Sequence, residues 1–277
     1  MVRQVRLPDG EAVAALGQGT WRMGERPGVR AREIATIREG VKLGMTLIDT
    51  AEMYGDGGAE SLLGEALAGL RERVFLVSKA YPQNASRSRL AQSCEASLRR
   101  LRTDRLDLYL LHWRGATPLA ETVEAMQALQ TAGKIRHWGV SNLDLDDMEE
   151  LFSAGGADCA TDQVLYNLGR RGIEFGLLPW MAAGGLPVMA YTPLEPDRMS
   201  RSAVLAEVAA RRGVAPLQLA LAWVLRRPDV IAIPKASSPE HVRQNRQALD
   251  IVLTYEELAE LDRAFPPPVH KSALEML

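Results

Sequence analysis

Apolar positions along the chain form two alternating patterns. Short runs of β-branched residues and leucine, bounded by polar residues, predict buried strands. Eight such runs occur, at residues 14–16, 47–48, 74–77, 106–111, 137–140, 161–164, 187–190 and 230–233. Between several of them, apolar residues recur every three or four positions, which predicts helices. One such series is Leu90, Cys94, Leu98 and Leu101.

The order of strand and helix, repeated along the chain, predicts parallel strands joined by helical crossovers. No linker or change in composition interrupts the repeat, so residues 1–277 are expected to form one domain. Eight units in one domain favour a closed (β/α)8 barrel, the TIM-barrel fold. A turn at 8–10 predicts a β-hairpin over 2–15 that covers the barrel bottom, and 239–249 and 255–265 predict extra C-terminal helices.

Composition argues against several other classes of protein. Apolar residues make up 47% of the chain, but no run is long enough to cross a bilayer, as is typical of a globular protein. The net charge of -2 is spread over the sequence, so we expect neither a nucleic-acid surface nor a membrane surface. Two cysteines and a start without a signal-peptide pattern predict a cytoplasmic protein, which we expect to be a monomer.

Polar or aromatic side chains stand at the ends of five predicted strands. They are Asp49, Ser78-Lys79, His112-Trp113, Ser141-Asn142 and Tyr191. In a barrel of parallel strands these ends lie on one face, which is the face where barrel enzymes build their sites. The sequence therefore predicts a polar active site at the carboxyl ends of the strands.

The residue types at this face are suited to protonating a carbonyl oxygen. A buried Lys79 beside Asp49 would form an ion pair. Tyr54 lies in the loop that leaves the strand ending at Asp49, and a nearby charged lysine is expected to lower the pKa of its phenol from about 10. Tyr54 would then act as the proton donor, with His112 as an orienting hydrogen-bond donor.

Other chemistries find less support in the sequence. The histidines and cysteines show no metal-ligand spacing, so no metal site is expected. The stretch "GVSNL" lacks the last glycine of a nucleophile elbow, and "GDGGAE" departs from a dinucleotide fingerprint and follows no strand directly. A glycosidase would need paired carboxylates at strand ends, and only Asp49 is available.

Several stretches resemble the aldo-keto reductases over nearly the whole chain. The stretch "LIDTAEMYGDGGAESLLGEAL", residues 47–67, resembles the family signature and places Asp49 and Tyr54 on its catalytic aspartate and tyrosine. Lys79 in "VSKAYP" and His112 in "LLHW" match the other two members of the catalytic tetrad. The resemblance implies reduction of aldehydes or ketones, with NADPH as the preferred cofactor and NADH as the alternative, and without a metal.

The same resemblance implies which residues bind the cofactor and the substrate. "GVSNL", "AYTPL" and "IPKASSPEHVRQN" match the segments that hold the nicotinamide and adenosine ends of the cofactor. The implied cofactor-binding residues are Ser141, Asn142, Gln163, Tyr191, Thr192, Leu194, Lys235, Ser237, Ser238, His241 and Asn245. Trp21 and Trp113 match positions that wall the substrate pocket.

Two residues depart from the family pattern. His241 stands where the family usually has an arginine for the 2'-phosphate of NADPH, which weakens the case for strict use of NADPH. Glu195 follows "AYTPL", where the pyrophosphate commonly passes, and an anion there is unfavourable unless its side chain points away. Glu195 is therefore not counted among the binding residues.

The substrate and one rival function stay open at the level of sequence. The connection at 114–117 and the tail after 268 are short, which suggests an open pocket for small aldehydes or dicarbonyls such as methylglyoxal. The rival is a binding protein on the same fold, comparable to the regulatory β-subunits of potassium channels. The complete tetrad favours the enzyme, and turnover with a panel of aldehydes discriminates the two.

Overall fold

Eight parallel strands form one sheet in the computed structural model, which describes residues 2–277. The strands follow a hairpin of β1 (Gln4–Arg6) and β2 (Ala12–Ala14). They are β3 (Gln18–Gly19), β4 (Leu47–Asp49), β5 (Phe75–Ala80), β6 (Leu106–Leu111), β7 (Ile135–Ser141), β8 (Asp162–Leu165), β9 (Val188–Tyr191) and β10 (Val230–Ala232). Each strand pairs with the next in sequence, as strand–helix repeats require.

Backbone contacts between the first and last strands close the sheet. Gly17 N donates to Ala232 O at 2.8 Å, Leu16 and Ala232 form a parallel bridge, and Gly19 N donates to Pro234 O at 3.1 Å. The predicted (β/α)8 barrel is confirmed.

Helices surround the barrel and connect its strands. They are α1 (Arg30–Lys42), α2 (Gly58–Ala66), α3 (Arg87–Leu101), α4 (Leu119–Thr131), α5 (Leu145–Ser153), α6 (Leu177–Ala183), α7 (Pro196–Met199), α8 (Ala203–Arg212), α9 (Pro216–Leu225), α10 (Pro239–Gln247) and α11 (Tyr255–Ala264). The two predicted C-terminal helices correspond to α10 and α11. No helix in 2–277 is both long and apolar enough to span a membrane.

The hairpin forms part of the barrel core. Val5, Leu7 and Val13 are buried and cluster with the inward-facing residues Leu47 and Phe75. Phe75 is the first residue of its strand, so the hairpin packs on the amino-terminal end of the barrel, opposite the strand ends that carry the polar side chains. This leaves the carboxyl-terminal face free for a site.

The first barrel strand begins later than the apolar pattern predicts. The strand expected at 14–16 lies at Gln18–Gly19 instead; Ala14 belongs to the hairpin and Leu16 makes a single bridge. The pattern fails here because Gln18 is polar yet only 3% exposed. Its amide donates hydrogen bonds to the carbonyls of Ile37 (3.2 Å) and Met45 (3.0 Å), which compensates for its burial.

Candidate active site

A buried ion pair joins two neighbouring strand ends. Lys79 Nζ lies 2.8 Å from the carboxylate of Asp49 and donates a second bond of 2.8 Å to Thr50 O. Lys79 is fully buried and Asp49 is 2% exposed. Burial lowers the pKa of Lys79, but the combined effect of Asp49 and Tyr54 raises it more, so the pKa lies above its ordinary value and the lysine is charged.

Tyr54 completes a three-residue contact with the ion pair. The loop after β4 turns back on itself through bonds from Tyr54 N to Ala51 O and from Ala59 N to Tyr54 O, both 3.1 Å. This turn brings the phenol to 3.1 Å from Lys79 Nζ. The side chain is buried and its ring packs edge-on against Trp21 at a centroid distance of 5.1 Å.

The net pKa shift of Tyr54 is opposite to the one expected from the sequence. Burial raises the pKa of Tyr54 and the charge of Asp49 raises it further, while Lys79 lowers it by less than their sum. The expectation of a lowered pKa is therefore wrong, because the sequence shows the charged neighbour but not the depth of burial. The phenol carries its proton at neutral pH.

His112 forms the opposite wall of this cluster. Its ring centroid lies 5.9 Å from that of Tyr54 and 4.9 Å from that of Trp113. Burial lowers the pKa of His112 to about 3, with a smaller contribution from the charge of Lys79, so the imidazole is neutral. Its Nδ1 is buried without a hydrogen-bond partner in the described part of the chain.

Four predicted cofactor residues form one hydrogen-bonded group beside the ion pair. Ser141 Oγ donates to Gln163 O at 2.7 Å, and Asn142 Nδ2 donates to His112 O at 3.0 Å. Tyr191 Oη donates to Asn142 Oδ1 at 2.9 Å. Gln163 Nε2 also donates to Asp49 Oδ1 at 2.8 Å, a link to the ion pair that the sequence did not reveal. The ring of Tyr191 is half-buried, which leaves it room to contact a planar ligand.

The loop after β9 contains Thr192 and Leu194. Thr192 has a φ of 45°, an unusual conformation for a β-branched residue, and its carbonyl accepts a bond of 2.9 Å from Asn167 Nδ2. Leu194 packs partly against the core. Glu195 binds Arg170, with 3.2 Å between Oε2 and Nε, and accepts a bond of 3.1 Å from Asn167. Its charge is thus neutralised by the protein.

The remaining predicted cofactor residues lie around the start of α10. Ser238 is the N-cap of this helix and accepts a bond from His241 N at 3.3 Å. Ser237 Oγ lies 3.0 Å from His241 Nδ1, and Lys235 and His241 are exposed while Asn245 is 9% exposed. Hydroxyl groups, cations and a helix N-terminus are the groups that bind phosphate, so this end fits the charged part of a dinucleotide.

The sequence did not indicate three further features. Thr50 contributes only its carbonyl to Lys79, and backbone contacts leave no side-chain signal. Tyr81 packs edge-on against Trp113 at 5.9 Å and so extends the aromatic wall near His112. At the opposite end of the barrel, ligand atoms of Asp9, Glu11 and His137 lie within 4.8 Å of one another. No local spacing marks this group in the sequence, because 126 positions separate Glu11 from His137.

Comparison with known proteins identifies the family. The model described as "Aldo/keto reductase family" matches residues 15–265. The chain is 52% identical to the methylglyoxal reductase YeaE of Escherichia coli (strain K12), over 99% of both chains. It is 32% identical to an NADH-specific methylglyoxal reductase of the same organism, covering 87% of this chain and 91% of the relative.

A solved structure shows the same fold over its full length. The aldo/keto reductase of Klebsiella pneumoniae, determined in complex with NADP and acetate, is 55% identical with a TM-score of 0.96 and 100% coverage of both chains. The family and the oxidoreductase class predicted from the motifs are confirmed. The chain belongs to the aldo/keto reductase family.

Proposed function

We propose that this protein reduces aldehydes and ketones with NADPH at the site built from Asp49, Tyr54, Lys79 and His112, and that small dicarbonyls such as methylglyoxal are its best substrates. The observation that carries the proposal is the contact of one buried ammonium group, Lys79 Nζ, with both Asp49 and the phenol of Tyr54. The similarity to a methylglyoxal reductase over the whole chain supports the choice of substrate.

Tyr54 serves as the proton donor. Its raised pKa keeps the phenol protonated at neutral pH, so the proton is available to a carbonyl oxygen placed next to it. Bound nicotinamide supplies the hydride to the carbonyl carbon. As the phenol O–H bond breaks, the phenolate left behind is stabilised by Lys79, 3.1 Å away, until solvent returns the proton.

His112 positions the carbonyl group rather than protonating it. A group with a pKa of about 3 is uncharged at neutral pH and cannot serve as a cationic acid. A neutral imidazole can still donate one hydrogen bond to the carbonyl oxygen, and the rings of His112 and Tyr54, with centroids 5.9 Å apart, are close enough to share one carbonyl group. Trp21, Trp113 and Tyr81 form the apolar walls around this region.

The cofactor lies across the carboxyl-terminal face. Ser141, Asn142 and Gln163 bind the nicotinamide carboxamide, and the ring stacks on Tyr191. The loop of Thr192 and Leu194 follows the cofactor toward the adenosine end. There Lys235, Ser237, Ser238, His241 and Asn245 bind the adenosine and its 2'-phosphate. NADPH is preferred and NADH is accepted, in keeping with the NADP complex of the Klebsiella relative and the NADH-specific E. coli relative.

We also propose that the chain acts as one cytoplasmic domain and as a monomer. The closed barrel and its hairpin share a continuous core, and both cysteines are buried and free, as suits a reducing compartment. The mass of the purified protein by light scattering tests the monomer.

Steady-state kinetics test the function. The rate of NADPH consumption is measured with methylglyoxal, a series of aldehydes and a simple ketone, and then with NADH. We expect the highest kcat/KM for methylglyoxal with NADPH. If no carbonyl compound is reduced although NADPH binds, the enzyme proposal is wrong and the regulatory-protein alternative is favoured.

A further inference from the structure

The loop between β3 and α1 lies next to the proposed adenosine site. Gly19 and Lys235 form a parallel bridge at the point where the barrel closes, and Trp21 and Arg22 follow directly after this bridge. Helices α1 and α10 pack against each other and are linked by an ion pair of 2.9 Å between Glu39 and Arg243. The loop after β3 therefore starts beside the segment of Lys235 that leads into α10.

Three arginines of this loop and the first turn of α1 are exposed and have no carboxylate partner within 2–277. They are Arg22, Arg26 and Arg32. Arg30, which lies between them in the chain, is instead paired with Glu65 at 2.7 Å. These three and Lys235 are defined here as the cationic rim.

The charges of the rim act on one another. Partial desolvation of its amino group lowers the pKa of the otherwise exposed Lys235; Glu33 opposes this shift, and Arg26, Arg32 and Arg22 each lower the pKa further. Glu33 is 5% exposed and its carboxylate accepts a bond of 3.0 Å from Gly24 N, so it fixes the loop. Arg22, Arg26, Arg32 and Lys235 outnumber the buried Glu33 and the exposed Glu25 of the same segment, which leaves an excess of positive charge that a multivalent anion would relieve.

We propose that Arg26 and Arg32 bind the 2'-phosphate of NADPH together with Lys235, and so provide the cationic charge that an arginine in place of His241 would otherwise provide. His241 has only its Nε2 left for a phosphate oxygen, because its Nδ1 lies 3.0 Å from Ser237 Oγ. A phosphate dianion beside Lys235 would instead meet two permanently charged guanidinium groups, which bind phosphate oxygens through paired donors. This inference rests on the proposed use of NADPH.

The test is the binding of cofactors to the double variant Arg26→Gln/Arg32→Gln. Dissociation constants are measured by fluorescence titration for NADPH and NADH, and by calorimetry for adenosine 2'-monophosphate. An exposed ion pair changes an affinity by up to about fivefold. The two substitutions together should therefore raise the dissociation constants of NADPH and adenosine 2'-monophosphate about tenfold to twentyfold. NADH should change by less than about twofold, because it lacks the phosphate.

Arg73→Gln is the matched control. Arg73 is exposed just before β5, at the opposite end of the barrel, and its replacement removes the same charge. It should leave both cofactors unaffected. The preference of the wild-type protein for NADPH should also fall as salt rises from about 0.05 to 0.3 M, whereas that of the double variant should depend on salt only weakly.

The outcomes separate this inference from the function on which it rests. If the double variant binds NADPH and NADH more weakly by the same factor, the rim contacts the pyrophosphate and the assignment to the 2'-phosphate is wrong. An unchanged affinity for NADPH would also overturn the assignment. Either result leaves carbonyl reduction intact. A wild-type protein that binds neither cofactor would contradict the proposed function, and the inference with it.

Discussion

Replacing Lys79 with methionine tests the buried ion pair on which the proposed mechanism depends. Lys79 is 0% exposed and its Nζ lies 2.8 Å from Asp49, so methionine keeps most of the stem but removes the charge. Within residues 2–277, Gln163 is then the only side chain that donates to the carboxylate. Loss of one member of a buried pair costs about 3–5 kcal/mol of folding free energy. For a chain of this size, that lowers Tm by about 6–15 °C.

The control is the double variant Asp49→Asn/Lys79→Met, which buries no charge. It should recover a large part of the stability lost in Lys79→Met, because an amide is far less costly to bury than an unpaired carboxylate. Urea denaturation and thermal melting measure both variants against the wild type. Equal Tm values for the wild type and Lys79→Met at about pH 8 would refute the reasoning, since they would mean that Asp49 carries no buried, unpaired charge.

The stability of Lys79→Met should also depend on pH with a defined sign. Burial raises the pKa of Asp49, and without Lys79 nothing of comparable strength opposes it. An acid with a raised folded-state pKa is fully stabilising below its unfolded pKa of about 3.9, and this stability is lost as pH rises through the folded value. The difference in Tm between Lys79→Met and the wild type should therefore grow from about pH 5 to 8, while the double variant shows no such trend.

Three further variants test individual assignments. Tyr54→Phe should reduce kcat about 10²-fold or more while NADPH affinity stays the same; near-normal turnover would exclude Tyr54 as the proton donor. His112→Gln should lower kcat/KM without changing the shape of its pH profile between about pH 5 and 8, since a group with a pKa of about 3 does not titrate there. A step in that range that disappears with the histidine would contradict this. His241→Arg should tighten NADPH binding up to about fivefold and leave NADH unchanged, and equal effects on both cofactors would place residue 241 away from the 2'-phosphate.

The location of the site could be predicted because the order of strands in the sequence indicates which residues lie close together in the barrel. Asp49, Lys79 and His112 are far apart in the chain, but each follows an apolar run that becomes a barrel strand. Parallel strands place their carboxyl ends on one face, so the alternation of strands and helices is enough to bring these residues together. Tyr54 was predicted from its position in the loop after β4, and the turn at Ala51 brings its phenol back to Lys79.

Features that depend on burial could not be predicted in this way. Gln18 lies in a barrel strand although it is polar, because two backbone carbonyls accept its amide protons. The direction of the Tyr54 pKa shift depends on how completely the protein encloses the phenol, which no local pattern records. The cationic rim unites Arg26 and Arg32 with Lys235 from the other end of the chain, and only the closure between β3 and β10 makes them neighbours.

The balance of burial and charge at Tyr54 affects how the rates of reduction and of oxidation depend on pH. Reduction requires the phenol to hold its proton before the reaction, and burial ensures this at neutral pH. It also requires the phenolate to be tolerated afterwards, and the charged Lys79 at 3.1 Å provides that stabilisation without removing the proton beforehand. Oxidation of an alcohol begins from the phenolate, so it is favoured only as the pH approaches the raised pKa. Reduction is therefore the reaction for which this arrangement is suited near neutrality, and alcohol oxidation should increase with pH as reduction declines.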